Sequence, residues 1–114
     1  MIIGAGRSMC PDIVPELLLM KELWLTNGIL INMYDQPGCF FKLRRILKDS
    51  GTVGAGLNTV NIVERVSDGL KDCDILIYLD SHQKEEHEGM EHWLQRNYKV
   101  IESLSNEIND HAPS

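Results

Sequence analysis

The feature that most constrains the fold is the run at residues 28–51, where a strand pattern turns directly into a helix pattern. Residues 28–34 read GILINMY, which has the length and β-branched content of a strand. Pro37 and Gly38 then turn the chain, and apolar residues recur at helical spacing from Phe40 to Leu47. Gly51 follows as a helix C-terminal stop. This order predicts a helix that packs on a sheet.

The rest of the chain extends this order to β-α-β-β-α-β. Residues 59–67 and 74–80 predict the second and third strands, joined by a hairpin at Asp68-Gly69. Residues 84–96 predict the second helix and residues 98–105 the fourth strand. That order predicts an α+β, ferredoxin-like βαββαβ fold, a four-stranded antiparallel sheet with two helices on one face. We expect one domain at residues 28–105, an N-terminal arm or short helix at 1–27, and a linker or tail at 106–114.

Charge and cysteine content narrow the classes of function. The net charge of −6 argues against a nucleic acid or a membrane as partner. We interpret the cations Lys42, Arg44 and Arg45 as a solvated helix face. Three cysteines without a CxxC motif favour free thiols in a reducing compartment. Since no apolar run approaches the roughly 18–20 residues that span a membrane, and the N-terminus lacks a secretory pattern, we expect a cytoplasmic protein.

The sequence does not assemble a complete catalytic or metal site. His82, His87 and His92 are five residues apart, whereas two metal ligands on one helix face need a spacing of three or four. We therefore predict no metal site. Cys39 lies at a predicted helix N-terminus, where a thiol is activated, but its aromatic neighbours indicate a buried structural role.

Two short glycine motifs are candidates for ligand binding. Gly4-Ala5-Gly6 suggests a dinucleotide loop, but the sequence shows no strand before it, no third glycine and no helix after it, so we do not predict one. The corner at Pro37-Gly38 is the better candidate, because free amides and the dipole at a helix N-terminus favour a carboxylate. The alternative is that this corner only makes the turn.

The element order and the segment YDQPGCFFKLRRIL resemble the ACT domain, a small amino-acid-sensing regulatory module. The segment VNIVERVSDGLKDCDILIYLD at 60–80 is similar to the corresponding part of the regulatory domain of aromatic amino acid hydroxylases. VIESLSNEIND at 100–110 is similar to the end of that domain and the linker beyond it. The resemblance covers about residues 28–110, and prephenate dehydratase regulatory domains are the nearest competitor.

The resemblance implies a regulatory chain that is not itself an enzyme and carries no cofactor. Non-haem iron and tetrahydrobiopterin would serve a separate catalytic domain, which would be a partner. The chain would form a homodimer or higher homo-oligomer and bind L-phenylalanine or another aromatic amino acid between subunits. The implied ligand-binding residues form two groups, one from each subunit: Pro37, Gly38, Cys39 and Phe40, and Val63, Glu64, Arg65, Val66 and Ser67.

Departures from the family pattern keep two alternatives open. The family usually has Gly-Ala-Leu where this chain has Gly-Cys-Phe at residues 38–40, and residues 63–67 lack the family's proline. A domain of the same fold that only oligomerises is therefore an alternative. A small enzyme on a ferredoxin-like scaffold is the other, although no convergent set of catalytic residues supports it.

Overall fold

The structure, a computed structural model, describes residues 1–6, 10–23, 28–50, 58–79 and 83–113. Strands and helices alternate along these ranges. The described ranges also contain two short 3₁₀ helices, one before the second strand at Lys21–Leu23 and one before the second helix at Pro37–Cys39. In chain order the elements are β1 Ile2–Ile3, α1 Cys10–Leu19, β2 Leu30–Tyr34, α2 Phe40–Ser50, β3 Thr59–Ile62, α3 Val66–Leu70, β4 Ile77–Tyr78 and α4 Met90–His111.

The four described strands form one sheet in the order β3-β2-β1-β4, and every pairing in it is parallel. Ile2 lies opposite Met33 on one side and Ile77 on the other, so β1 is a central strand. β2 pairs with β3 over four residues, from Leu30 opposite Thr59 to Met33 opposite Ile62. The chain thus moves outward from β1 through β2 to β3, and then returns to the other side of β1 for β4.

The predicted α+β ferredoxin-like βαββαβ fold with an antiparallel sheet is wrong. Parallel neighbours require a long crossover connection, and a helix lies between each pair of consecutive strands. The hairpin predicted at Asp68-Gly69 is instead helix α3. Gly69 is buried there, and a Cβ atom on it would lie 2.7 Å from the sulfur of Met1. The Asp68-Gly69 pair, which we interpreted as a turn, thus provides a small residue, Gly69, that lies against the side chain of Met1.

Residues 1–27 were predicted as an N-terminal arm or short helix, and the structure places Ile2 and Ile3 of this range in β1, an interior strand of the sheet. Ile2 and Ile3 are 1% and 4% exposed. A strand that is buried on both faces carries no alternation of polar and apolar residues, and two residues are too few to show a pattern. The α-helix of this region is α1, Cys10–Leu19.

From Met90 to His111 the chain is one long helix, where part of a helix, a strand and part of a tail were predicted. α4 runs for 22 residues from Met90, so residues 98–105 are helical. Their β-branched and aromatic residues suggested a strand, but Tyr98, Ile101 and Leu104 also repeat at helical spacing with α4's first turns. Local β propensity is the weaker of the two signals because helix periodicity continues across the whole segment.

The strand and helix around the first corner were predicted correctly. β2 alternates between buried and less buried residues, and Ile31 and Met33 point into the core. On α2, Leu43 and Ile46 are buried, while the cations between them are exposed. α1 contributes Val14 and Leu18 to the same apolar cluster. Gly51, predicted as the helix stop, lies outside the described residues, and so do residues 52–57 of the connection that follows it.

Candidate nucleotide-binding crevice

A tight glycine turn follows directly after β1. Gly4 has a φ angle of 79°, a left-handed conformation that glycine adopts without steric penalty. The backbone N–H groups of Gly4 and Ala5 both donate to the carbonyl oxygen of Tyr34, at 3.0 and 3.1 Å. These bonds hold the turn against the end of β2, so the two carboxyl-terminal strand ends form one continuous edge.

Asp35, the first residue after β2, closes this turn. Its Oδ2 accepts a hydrogen bond from Gly6 N–H at 2.8 Å, and its Oδ1 accepts one from Gln36 N–H at 2.7 Å. The residue is only 6% exposed. An ionised carboxylate has about four acceptor positions, so two backbone donors leave capacity for further donors. Asp35 is therefore a fixed anion with spare acceptor sites beside a glycine turn.

The close approach of backbone to Asp35 depends on Gly6 having no side chain. A Cβ atom on Gly6 would lie 2.8 Å from Asp35 Oδ2 and 3.1 Å from the Cβ of Cys39. By contrast, a Cβ atom on Gly38 would meet nothing within 4 Å. Gly6 is thus required by its contacts, whereas Gly38, the centre of the predicted anion-binding corner, is an exposed and unconstrained position.

A cavity of about 610 Å³ opens at the carboxyl ends of the strands. Ile3, Tyr34 and Tyr78, the last residues of β1, β2 and β4, line its floor. The remaining lining comes from the segment after β2, the segment after β3, and helices α3 and α4: Gln36, Glu64, Arg65, Val66, Ser67, Lys99, Val100, Ser103, Leu104 and Glu107. In open parallel sheets, ligands bind outside the carboxyl ends where the strand order reverses, and here that point lies between β1 and β4.

The predicted ligand-binding residues divide between two places in one chain. Glu64, Arg65, Val66 and Ser67 line the cavity, and Val63 joins the sheet through a hydrogen bond to Met33 O. Pro37, Gly38 and Cys39 form the 3₁₀ helix after Asp35, and Phe40 begins α2 and packs on the core. Both groups follow neighbouring parallel strands, so they lie at one edge of a single sheet. Whether they bind an amino acid stays a prediction.

Cysteine chemistry does not contribute a nucleophile at this edge. Cys10 begins α1 and is fully buried. Burial, and secondly the negative charge of Asp35, raise the pKa of the Cys10 thiol to about 11. The thiol is therefore protonated at neutral pH and serves as a small apolar core residue. Cys39, half-buried, contacts the glycine turn through the space that Gly6 leaves.

A second polar cluster fixes the segment before α4. Glu88 accepts hydrogen bonds from Arg96 through Nε at 3.0 Å and through its NH2 group at 2.8 Å. His92 Nδ1 lies 2.6 Å from the same carboxylate, and Arg96 also donates to Gln83 O. The hydrogen bonds from Arg96, supported by those from the Glu85 backbone and His92, lower the pKa of Glu88 to about 2. The cluster joins residues 83–88 to the first two turns of the helix.

Within the described ranges, no group of three or more His, Cys, Asp or Glu side chains is arranged to hold a metal ion. His82 lies outside the described residues. Among the helices of the described part, none combines the length and apolar character needed to cross a bilayer.

Comparisons with known proteins add no relative. No protein-family model matches the chain, and no curated protein matches it significantly. The site must therefore be interpreted from its own geometry.

The turn Gly4-Ala5-Gly6 is the motif for which the sequence showed neither a preceding strand nor a following helix. Its preceding strand and following helix are both present, as β1 and α1. The third glycine of the usual Gly-x-Gly-x-x-Gly pattern is replaced by Met9. The signal that would have identified the turn is distant in sequence: Asp35, directly after the next strand pattern and 29 residues after Gly6. In dinucleotide-binding α/β folds an acidic residue about 20 residues beyond the glycine turn accepts a hydrogen bond from the ribose 2′-hydroxyl.

Proposed function

We propose that this chain binds an adenine dinucleotide with free ribose hydroxyls, of the NAD(H) type, in the crevice at the carboxyl ends of β1, β2 and β4. The observation that carries the proposal is the hydrogen bond from Gly6 N–H to the buried carboxylate of Asp35. It joins a glycine turn after the first strand to an acidic residue after the second, in a sheet of order 3-2-1-4. That combination is characteristic of dinucleotide-binding α/β folds.

Each part of the site has a physical role in this proposal. Gly4 supplies the left-handed backbone conformation of the turn, and Gly6 leaves the space in which Asp35 reaches the turn. Asp35 lies in sequence between Tyr34 and Gln36, which both line the crevice, and this proposal assigns its remaining acceptor sites to ribose hydroxyls. Its negative charge also repels a 2′-phosphate, which favours NAD(H) over NADP(H). The half-buried tyrosines Tyr34 and Tyr78 supply aromatic surface within the crevice.

When bound, such a cofactor supplies hydride transfer, so the chain would be the cofactor-binding part of an oxidoreductase. This proposal departs from our sequence-based expectation of a regulatory chain without a cofactor. That expectation, with its homodimer, its catalytic-domain partner and its aromatic amino acid effector, stays a prediction. It presupposes a fold that the observed sheet contradicts, and no contact among the described residues favours it over the dinucleotide.

The test is a fluorescence titration of the folded chain with NADH and NADPH, with L-phenylalanine titrated in parallel. We expect saturable NADH binding and at least tenfold weaker NADPH binding. Replacing Asp35→Asn removes a charge-assisted hydrogen bond of about 1.5–3 kcal/mol, so NADH binding should weaken by roughly 10- to 100-fold. The matched control is Asp49→Asn, an exposed acid at the far end of α2.

Two results would overturn the proposal. One is the absence of saturable NADH binding up to millimolar concentration by a chain whose circular dichroism shows native helix content. The other is equal NADH affinity for the Asp35→Asn and Asp49→Asn variants. Saturable binding of L-phenylalanine, with no response to NADH, would support the amino-acid-sensing prediction instead.

A further inference from the structure

An exposed basic surface lies on α2, opposite its buried side. Phe41, Arg44, Arg45 and Lys48 are all exposed, and Phe41 is 64% exposed. Their spacing of i, i+3, i+4 and i+7 places them on one helix face. We name these four residues the basic ridge. In the part of the chain that the structure describes, none of its three cations forms an ion pair, although the whole chain has a net charge of −6.

A surface of opposite character lies at the beginning of α4. Glu85, Glu86 and Glu91 are exposed, and the apolar side chains of Met90 and Leu94 next to them are 58% and 56% exposed. We name these five residues the acidic end. Glu88 is not part of it, because its carboxylate is already satisfied by Arg96. The acidic end thus combines carboxylates that form no ion pair within the described residues and apolar side chains that are largely exposed.

We propose that the basic ridge of one copy of this chain docks on the acidic end of a second copy. The two surfaces are complementary in charge and in apolar character. The cations of the ridge face the carboxylates, and Phe41 packs against Met90 and Leu94. Like charges would prevent either surface from pairing with its own equivalent, so the contact is head-to-tail. A heterologous contact of this kind leaves one ridge and one acidic end free in every dimer, so it can propagate.

The contact is weak and depends on salt. Exposed ion pairs contribute little individually and are screened at high ionic strength. The apolar contact of Phe41 adds binding free energy that salt does not screen. This inference is independent of the proposed nucleotide site, because none of the residues of either surface lines the crevice.

The experiment is sedimentation velocity of the 114-residue chain over a range of concentrations, at low and high salt. We expect association at about 0.02 M salt, with a Kd at least about tenfold weaker at about 0.5 M. A ridge variant, Arg44→Glu with Arg45→Glu, and an acidic-end variant, Glu85→Lys with Glu86→Lys, should each sediment as a monomer. Mixing the two variants should restore association, because the reversed charges attract each other and one intact ridge still meets one intact acidic end.

The control carries the same change of net charge as the acidic-end variant, but on α1. Asp12→Lys with Glu16→Lys alters two exposed acids of α1 and should associate at least as strongly as the unmodified chain. Three results would overturn the proposal: a monomeric unmodified chain at millimolar concentration and low salt, association that survives in either variant alone, or a mixture of the two variants that stays monomeric. Circular dichroism of every variant establishes that each one is folded.

Discussion

Replacing Gly6 with alanine tests the glycine turn more directly than any other substitution. The added Cβ atom would lie 2.8 Å from Asp35 Oδ2, well inside van der Waals contact. The carboxylate cannot move away without lengthening its hydrogen bond to Gly6 N–H, since the same oxygen accepts that bond. Cys39, whose Cβ would be 3.1 Å away on another side, limits movement of the turn. Relief of the clash therefore breaks either the turn or its anchor.

The expected size of the effect follows from these contacts. Overpacking a buried site destabilises a protein by about 1–3 kcal/mol. Loss of a hydrogen bond to a charged group falls in a similar range, about 1.5–3 kcal/mol. Because the two penalties are alternatives and do not add, we expect Gly6→Ala to lower the free energy of unfolding by about 1–3 kcal/mol. For a chain of this size that corresponds to a drop in Tm of roughly 4–20 °C.

Gly38→Ala is the matched control, because a Cβ atom there meets nothing within 4 Å and the residue lies in a 3₁₀ helix. We expect it to be neutral or stabilising by up to about 1 kcal/mol. Urea unfolding followed by far-UV circular dichroism measures both variants. Equal stability of Gly6→Ala and Gly38→Ala would refute the reasoning. NADH titration of Gly6→Ala under native conditions should also show at least tenfold weaker binding.

Three further predictions concern other parts of the chain. Glu88→Gln should destabilise the protein at neutral pH, because the stabilisation exists only while the Glu88 carboxylate is ionised. The difference in stability between variant and unmodified chain should vanish as pH falls from the ordinary pKa of 4.5 through the lowered folded-state pKa of about 2. Acid unfolding measures this, with Glu86→Gln as the insensitive control. The Cys10 thiol, fully buried and with its pKa raised to about 11, should react with an alkylating reagent at neutral pH only after unfolding, as mass spectrometry of labelled peptides would show. Leu43→Ala should lower the free energy of unfolding by about 2–5 kcal/mol, whereas Phe41→Ala on the exposed side of the same helix should change it by at most about 0.5 kcal/mol; equal effects in urea unfolding would contradict the orientation of α2.

The part of the fold that was predictable from sequence is the part with strong local signals. β2 and α2 carry clear periodicities, and Pro37 separates them. Strand β1 carries none, because it is two residues long and both of its residues are buried. With β1 missed, α3 interpreted as a hairpin and part of α4 interpreted as a strand, the sequence shows the order β-α-β-β-α-β. An antiparallel sheet then becomes the natural interpretation, because the parallel topology is not recognisable without β1.

The candidate site was missed for the same reason. A glycine turn is a weak signal without the strand before it, and Met9 removes the third glycine that would have strengthened the pattern. The residues that we predicted instead, at 37–40 and 63–67, follow β2 and β3. They were close to the correct edge because side chains after parallel strands converge there. Of these residues, Glu64, Arg65, Val66 and Ser67 line the cavity, whereas residues 37–40 do not.

The parallel topology also explains why one chain suffices to build this site. In the antiparallel fold that we expected, the two predicted groups were to come from different subunits. In a parallel sheet, every strand delivers its following loop to the same edge. Tyr34 and Tyr78 end β2 and β4 and Glu64 follows β3, yet all three line one cavity. Ligand binding at this edge therefore requires no second subunit, and a dissociation constant for NADH that is independent of protein concentration is the result that this topology demands.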